Sequence, residues 1–365
     1  MRSLLTSLFQ ADHTETAYLT GLRAYAALAV VMIHTLGGLR GISHYLDSVI
    51  DSGKYGVEAF YFLSGFTITL SLIKRTEVHF GEYFLRRCLR ILPLYIIVLL
   101  FLYSISWRNF WSVELAAPND IFSLFMHLSF LNLFDLRYAN NVIGVEWSIS
   151  IEFFYYLMIP IFLWLFNQKN RIYWVGLFIV FLGSLLLMPK SLPENQDYLY
   201  RRWSFQSYLF LYLFSVYCAL NYKKILQIID EVLYKKYLGL TRFYGYPIVV
   251  SCLSVLLLWA VLGSKGGQIF IPLWLAAFIF LYQNTQGWQL FLSNKTVLWF
   301  GNISFSIYLI HLPLYEFVFS LFVEWLGSAL WGWLLYFVSL LLICSMTYLI
   351  VEKPFVKLSR RIRLT

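Results

Sequence analysis

The sequence predicts an all-α, polytopic integral-membrane bundle of about ten transmembrane helices with both termini in the cytoplasm. Hydrophobic residues make up 60% of the 365 residues and charged residues only 13%, with a mean hydropathy of +0.69. No water-soluble domain carries so apolar a surface. The apolar residues fall into runs of about 20, the length that a bilayer requires. Most of the 28 Lys and Arg residues then lie on the side of the N-terminus, as the positive-inside rule predicts.

Ten apolar runs of this length define the predicted spans. In order they are 19–37, 55–73, 88–106, 146–166, 171–189, 205–221, 246–263, 268–284, 300–323 and 329–351. The run 121–134 is too short to cross and is interrupted by His127 and Asn132, so we place it as an interfacial or re-entrant helix. No stretch of soluble-domain size remains, and we expect one membrane domain over residues 1–365 with no appended soluble domain.

Composition and motifs also exclude several function classes. The net charge of +9 follows from cytoplasmic basic residues and requires no nucleic-acid partner. The four cysteines are dispersed, with neither disulfide nor metal-ligand spacing. No Walker loop, Rossmann glycine pattern or HExxH motif occurs, so we expect no metal and no ATP-driven pump.

Arg23 and His34 in the first span are the leading candidates, because ionisable residues at membrane depth are costly and functional by default. They are eleven residues apart, close to three helical turns, so they share nearly one face about 16 Å apart along the axis. Arg23 alone is also explained by snorkelling to headgroups. His34 alone is also explained as a helix-end histidine bonded to a neighbour.

Two carboxylates and an arginine cluster extend this set. Glu58 enters the second span near the depth of His34, where it would raise the basicity of the imidazole, although an interfacial position facing water also explains it. Glu152 lies two turns inside the fourth span and needs a partner or a role, whereas Glu146 is interpreted as interfacial. Three arginines at the cytoplasmic start of the third span suit a phosphate-bearing ligand or an ordinary positive-inside cluster: Arg86, Arg87 and Arg90.

Four further residues are possible pocket residues. Ser64 lies mid-span and is interpreted mainly as a site of close helix packing. Trp147 is expected in the aromatic belt or against a sugar face. Tyr308 and His311 place polar atoms on the ninth span, where His311 either acts directly or bonds to a carbonyl freed by Pro313.

Taken together, these segments resemble the acyltransferase-3 family of bacterial membrane O-acyltransferases. The resemblance rests on Arg23-x10-His34, GVEAFYFLSGF, Arg87-x-x-Arg90 before ILPLY, EWSISIEFFYY, GNISFSIYLIHLP and the closing VEKPF, and it covers nearly the whole chain in order. It implies His34 as the essential histidine, Arg23 as its paired arginine, and Arg87 with Arg90 as the pair linked to a CoA donor. Glu152 occupies the acidic position of the family's WSLSxE-like segment.

The resemblance implies transfer of an acyl group, usually acetyl from cytoplasmic acetyl-CoA, to a hydroxyl of an extracytoplasmic or lipid-linked saccharide in a bacterial inner membrane. Acceptors of such proteins include O-antigen, capsule, exopolysaccharide and peptidoglycan sugars. Acetyl-CoA or another acyl-CoA is then a co-substrate, no cofactor stays bound, and a homo-oligomer is possible. Relatives often carry Asp where this chain has Glu58, and some add a periplasmic esterase-like domain that we expect to be absent here.

Alternatives remain open at the level of sequence. His34 could act as a general base or accept the acetyl group itself, with Glu58 or Glu152 orienting the imidazole. Arg23 could bind a donor phosphate, together with Arg86, Arg87 and Arg90, or pair with a structural carboxylate. The rival functions are a transporter or flippase of a lipid-linked sugar, an acyltransferase for a small secondary metabolite, and a non-catalytic partner in envelope assembly. No internal repeat supports the transporter.

Overall fold

The fold is taken from a computed structural model that describes part of the chain. The described residues are 17–37, 40–74, 79–107, 118, 120–168, 172–173, 175–177, 202–229, 231, 267–282 and 291–362. Every regular element among them is helical, which confirms the predicted all-α class. The predicted spans 171–189, in large part, and 246–263 lie outside the described residues.

Fourteen α-helices are described, and we number them in chain order. They are α1 Ala17–Thr35, α2 His44–Ser52, α3 Gly56–Ile73, α4 Phe80–Ser104, α5 Ile121–Leu128, α6 Leu136–Ala139, α7 Glu146–Asn167, α8 Leu209–Leu220, α9 Tyr222–Ile229, α10 Gly267–Tyr282, α11 Lys295–Asn302, α12 Ser304–Leu326, α13 Ala329–Thr347 and α14 Lys353–Arg361. Short 3-10 segments cover Gly53–Tyr55, Leu131–Phe134 and Phe205–Tyr208, and a π-helical segment covers Tyr348–Glu352.

Five described helical stretches are long and apolar enough to cross a membrane. They are Ala17–Thr35, His44–Ile73, Glu146–Asn167, Ser304–Leu326 and Ala329–Arg361. A sixth is added if Phe205–Leu220 and Tyr222–Ile228, which meet at 72°, form one broken span. These stretches support a membrane protein, while ten spans and two cytoplasmic termini stay predictions.

The described part of the chain forms two compact units. Unit 1 comprises Met1–Lys74, Phe214–Tyr308 and Val338–Leu349, and unit 2 comprises Arg75–Leu213, Leu309–Phe337 and Ile350–Thr365. The helices α8, α12 and α13 each contribute residues to both units. Whether the chain is one membrane domain, as the sequence predicts, stays a prediction.

Unit 1 is organised around α1, which packs closely against neighbours that present glycine. A Cβ on Gly301 of α11 would collide with the backbone carbonyl of Thr20, and a Cβ on Gly21 would collide with that of Leu292. Small residues allow such close backbone approach between membrane helices, where packing rather than the hydrophobic effect drives association. Glycines at these positions therefore let the backbone of α1, the helix that carries Arg23, approach its neighbours closely.

Unit 2 is organised around the antiparallel pair α4 and α7, with aromatic rings between them. Phe130 stacks on Tyr95 of α4 at 5.4 Å and on Phe153 of α7 at 4.1 Å between ring centroids. Tyr155 of α7 stacks on Tyr212 at 3.9 Å. These rings anchor the segment between α4 and α7 against both helices, since aromatic pairs add to the burial of their area.

The short helix α5 matches the predicted segment that is too short to cross. Its exposed large side chains, such as Ile121, Phe122 and Phe125, are all apolar, as expected for a surface against lipid. The Tyr95 hydroxyl donates to the His127 carbonyl at 3.4 Å, and α4 continues nine residues, about 13 Å, beyond Tyr95. The end of α5 thus lies beside the interior of α4, which favours the re-entrant alternative.

Candidate active site

The candidate residues are divided between the two units. Unit 1 holds Arg23, His34, Glu58, Ser64 and Tyr308. Unit 2 holds Arg86, Arg87, Arg90, Trp147, Glu152 and His311.

Arg23 lies in the second turn of α1, where its side chain ties α1 to α3. Its Nη2 donates a hydrogen bond of 2.8 Å to the Thr67 hydroxyl oxygen. A hydrogen bond from a charged group is stronger than a neutral one, so it fixes the guanidinium against the middle of α3. His34 lies in the last turn of the same helix and is half-buried.

Glycine contacts set the register of α3 against α1. A Cβ on Gly56 would lie 2.5 Å from the Ala26 carbonyl oxygen, and one on Gly53 would lie 3.0 Å from the Ile33 Cβ. The two helices are therefore antiparallel, with Glu58 next to the middle of α1. His34 is eight residues, about 12 Å along the axis, beyond Ala26, the neighbour of Gly56. Glu58 follows Gly56 by two residues and therefore lies on the side of Gly56 away from His34.

Glu58 is the most deeply buried carboxylate candidate in unit 1, with 0% of its surface exposed. Burying an ionised carboxylate costs several kcal/mol of free energy unless it is protonated or compensated. The burial of Glu58, two residues into α3, therefore makes it a candidate functional residue. Ser64 is also buried, as close packing predicts. Tyr308 is buried, with its ring edge-on to Phe60 at 5.6 Å between centroids.

In unit 2, Arg87 and Glu152 belong to one cluster that Tyr156 links. The Arg87 guanidinium carbon lies 5.9 Å from the Tyr83 ring centroid and 6.0 Å from that of Tyr156, within cation–π range. The Tyr156 hydroxyl donates to Glu152 Oε1 at 2.7 Å. The Tyr83 hydroxyl donates to the Tyr156 carbonyl at 2.7 Å, which fixes α4 against α7.

The three neighbouring arginines have different surroundings. Arg86 forms an ion pair with Glu82 one turn earlier and donates to the Ile362 carbonyl at 2.6 Å, just after α14. It therefore ties α4 to the end of the described chain. Arg90 is exposed, and Arg87 is half-buried with its Nε inside the protein. In the Arg87–Arg90 pair, Arg90 thus provides an exposed positive charge that a phosphate group could contact.

The two remaining candidates, Trp147 and His311, are buried against other side chains of the protein. Trp147 is buried, 6.3 Å from the Trp203 ring, and the Arg202 guanidinium lies over it at 6.0 Å. His311 is fully buried in α12, and its carbonyl accepts a hydrogen bond of 3.0 Å from the Tyr336 hydroxyl.

Glu146, which the sequence interprets as interfacial, does not face water, because 0% of its surface is exposed. Its carboxylate accepts hydrogen bonds from the backbone N–H groups of Val142, Ile143 and Gly144 at 2.7, 3.1 and 2.6 Å. The Nε2 of His127 lies 3.5 Å from Glu146 Oε1. Sequence reasoning used His127 only to mark a break in an apolar run, although a histidine in so apolar a helix already suggested a buried partner.

Among the described residues, no group of three His, Cys, Asp or Glu side chains could hold a metal ion. The candidate side chains described above carry imidazole, carboxylate, guanidinium and tyrosine hydroxyl groups.

The chain was compared with known proteins. It is 25% identical over 362 residues to "Putative peptidoglycan O-acetyltransferase YrhL" of Bacillus subtilis, covering 92% of this chain and 54% of that protein. It is 24% identical over 363 residues to the peptidoglycan O-acetyltransferase OatA of Listeria monocytogenes, with the same two shares. The chain thus spans about half the length of these curated relatives. No solved structure matches it.

A family model gives the broader assignment. The model of the acyltransferase-3 family, described as an acyltransferase domain, matches residues 16–349. That range contains every candidate residue named above. The chain therefore belongs to the acyltransferase-3 family.

Proposed function

We propose that this protein is a membrane O-acyltransferase that moves an acyl group, most simply acetyl, from acyl-CoA to a hydroxyl of an extracytoplasmic saccharide. One observation carries the proposal: the family match over residues 16–349 includes all the histidine, carboxylate and arginine candidates. The O-acetyltransferase names of the relatives support the acetyl group, and peptidoglycan in two of those names supports a saccharide acceptor. A bacterial cytoplasmic membrane is the corresponding location.

The donor is assigned to the Arg87–Arg90 pair. Arg90 is exposed, and Arg87 is half-buried between tyrosine rings, so one guanidinium faces solvent while the other packs against protein groups. Guanidinium groups bind phosphate oxygens through charge-assisted hydrogen bonds. In this scheme the pair holds the CoA phosphates, while the thioester reaches into the protein on the pantetheine arm.

The chemical step is assigned to His34. As a general base, its imidazole takes the proton of the acceptor hydroxyl while the hydroxyl oxygen attacks the thioester carbonyl carbon. The C–O bond forms, the C–S bond breaks, and the proton passes to the departing CoA sulfur. In the alternative route, His34 attacks first and carries the acetyl group before the acceptor takes it. A carboxylate within hydrogen-bond reach would stabilise the positive imidazole in either route.

The test uses the purified chain in lipid vesicles with acetyl-labelled acetyl-CoA and a panel of saccharides that includes peptidoglycan fragments. We expect acetyl ester formation and CoA release in equal amounts. His34→Ala should abolish both at normal protein abundance, while Arg90→Gln should chiefly raise the donor KM. Retained activity in His34→Ala would remove its role, and saccharide flux that needs no acetyl-CoA would replace the enzyme by a transporter.

A further inference from the structure

The helix α14 carries a positively charged surface that the proposed transfer reaction does not use. Its nine residues, Lys353–Arg361, include four Lys or Arg side chains and no Asp or Glu. Three of these cations are exposed: Lys357, Arg360 and Arg361. At about 100° per residue they fall within an arc of about 100°. They therefore form one cationic face of α14.

The other side of α14 is held against unit 2, to which the helix belongs. Ser359 is buried, and its hydroxyl donates to the Val356 carbonyl at 2.8 Å. The helix packs against α4, from which Arg86 donates to the Ile362 carbonyl at 2.6 Å, just after the last turn of α14. Arg86 also forms an ion pair with Glu82. Because both ends of this contact are anchored in α4, the cationic face is presented on an ordered helix.

The residues that precede α14 indicate what this face meets. The helix α13 supplies 19 residues, close to the number that the hydrocarbon core requires. Exposed large side chains along α13 and the π-helical segment are apolar, such as Leu342, Met346 and Ile350. From Lys357 onward the exposed side chains are mainly cationic. A change from exposed apolar to exposed basic residues within about two helical turns is expected where a chain leaves the hydrocarbon core for the headgroups.

We propose that the cationic face of α14 binds the phosphate groups of anionic phospholipids at the bilayer surface. Guanidinium and ammonium groups donate charge-assisted hydrogen bonds to phosphate oxygens, and basic clusters directly beside a membrane span attract anionic headgroups. Leu358 is exposed next to Lys357, so it can contact acyl chains while the cations contact headgroups. A soluble phosphate compound would gain no such apolar contact. This binding goes beyond the proposed acyl transfer and does not depend on it.

The test measures lipid binding to the purified full chain in neutral detergent. Phosphatidylglycerol, which is anionic, and phosphatidylcholine, which is zwitterionic, are titrated separately, and bound lipid is counted by native mass spectrometry. Wild-type protein should bind phosphatidylglycerol at least tenfold more tightly. Each Lys or Arg near an anionic surface changes the affinity about fivefold. The triple variant Lys357→Gln/Arg360→Gln/Arg361→Gln should therefore bind phosphatidylglycerol about 100-fold more weakly.

The matched control removes three exposed lysines that lie after α3, in α9 and in α11: Lys74→Gln/Lys223→Gln/Lys295→Gln. It lowers the net charge by the same amount without touching α14, so it should change the phosphatidylglycerol affinity less than threefold. Equal wild-type affinities for the two lipids, or equal weakening in the two triple variants, would overturn the proposal.

CoA is the rival source of phosphate, and its binding is measured on the same proteins. The α14 triple variant should keep the CoA affinity of the wild type. Loss of CoA affinity with phosphatidylglycerol affinity retained would assign the cations to the donor and overturn the lipid site. If the triple variant does not fold, the single variants Lys357→Gln and Arg361→Gln, each expected to weaken phosphatidylglycerol binding about fivefold, decide the question. None of these measurements requires acetyl transfer, so failure of the proposed function would leave them valid.

Discussion

Tyr156→Phe is the sharpest test of the arginine–carboxylate cluster, because it removes one oxygen atom and leaves the ring. The lost hydroxyl donates to Glu152 at 2.7 Å. The retained ring keeps its place near Arg87, whose guanidinium carbon lies 6.0 Å from the ring centroid. The substitution therefore separates the role of the Glu152 carboxylate from the aromatic packing of Arg87.

The magnitude follows from the nature of this bond. A hydrogen bond to a charged group contributes about 1.5–3 kcal/mol, and about 1.4 kcal/mol corresponds to a tenfold change in rate. If Glu152 must be held in one orientation during acyl transfer, Tyr156→Phe should lower kcat by about 10- to 150-fold. The assay is acetyl-CoA-dependent ester formation in vesicles, with kcat and donor KM measured separately.

The matched control is Tyr83→Phe. It removes a hydroxyl from the other ring beside Arg87, but that hydroxyl donates to a backbone carbonyl, at 2.7 Å, rather than to Glu152. We expect it to lower the melting temperature modestly, because a neutral hydrogen bond contributes about 0.5–1.5 kcal/mol, and to change kcat less than threefold. Equal effects of the two variants on kcat would refute a specific role for Glu152.

Two further predictions concern unit 1. Thr67→Val removes the hydroxyl that accepts a hydrogen bond from Arg23, and such a bond contributes about 1.5–3 kcal/mol. This variant should therefore lower both the melting temperature and the rate of acetyl transfer, whereas Thr67→Ser should preserve both. Equal losses in the two variants would exclude the hydroxyl as the cause. Gly56→Ala places a methyl group 2.5 Å from the Ala26 carbonyl oxygen, and such overpacking costs about 1–3 kcal/mol. Gly176→Ala adds the same methyl to open space and should not destabilise, so comparable melting of the two variants would contradict the packing argument.

The apolar runs predicted several helices closely because local hydropathy determines where a chain can enter a membrane. The predicted spans 55–73 and 146–166 correspond to Gly56–Ile73 and Glu146–Asn167. The span predicted at 88–106 begins earlier, at Phe80. Protein groups contact Arg86 and Arg87 within this helix, while Arg90 is exposed. A prediction from hydropathy alone places such charged residues in water, and the predicted helix is therefore too short.

Contacts between residues that are distant in the sequence could not be predicted from hydropathy. The spacing of Arg87 and Arg90 predicts a shared helix face, but the proximity of Arg87 to Glu152 depends on the register of α4 against α7. Glu146 was placed at the interface because it opens an apolar run. Its burial depends on the irregular segment before it, whose three N–H groups converge on the carboxylate, and no periodic pattern encodes that conformation.

Two carboxylates on one helix therefore have different capacities to respond to a ligand. Glu146 already accepts three backbone N–H groups and faces His127, so any change in its charge would disrupt the segment that it holds. Glu152 accepts a hydrogen bond from the Tyr156 hydroxyl, beside the half-buried Arg87 guanidinium. A phosphate group that engages Arg87 would alter the field at Glu152 and leave the fastened start of α7 unchanged. On this argument we expect Glu146 to maintain the start of the helix, and we expect Glu152 to be the carboxylate that responds when a donor phosphate binds Arg87.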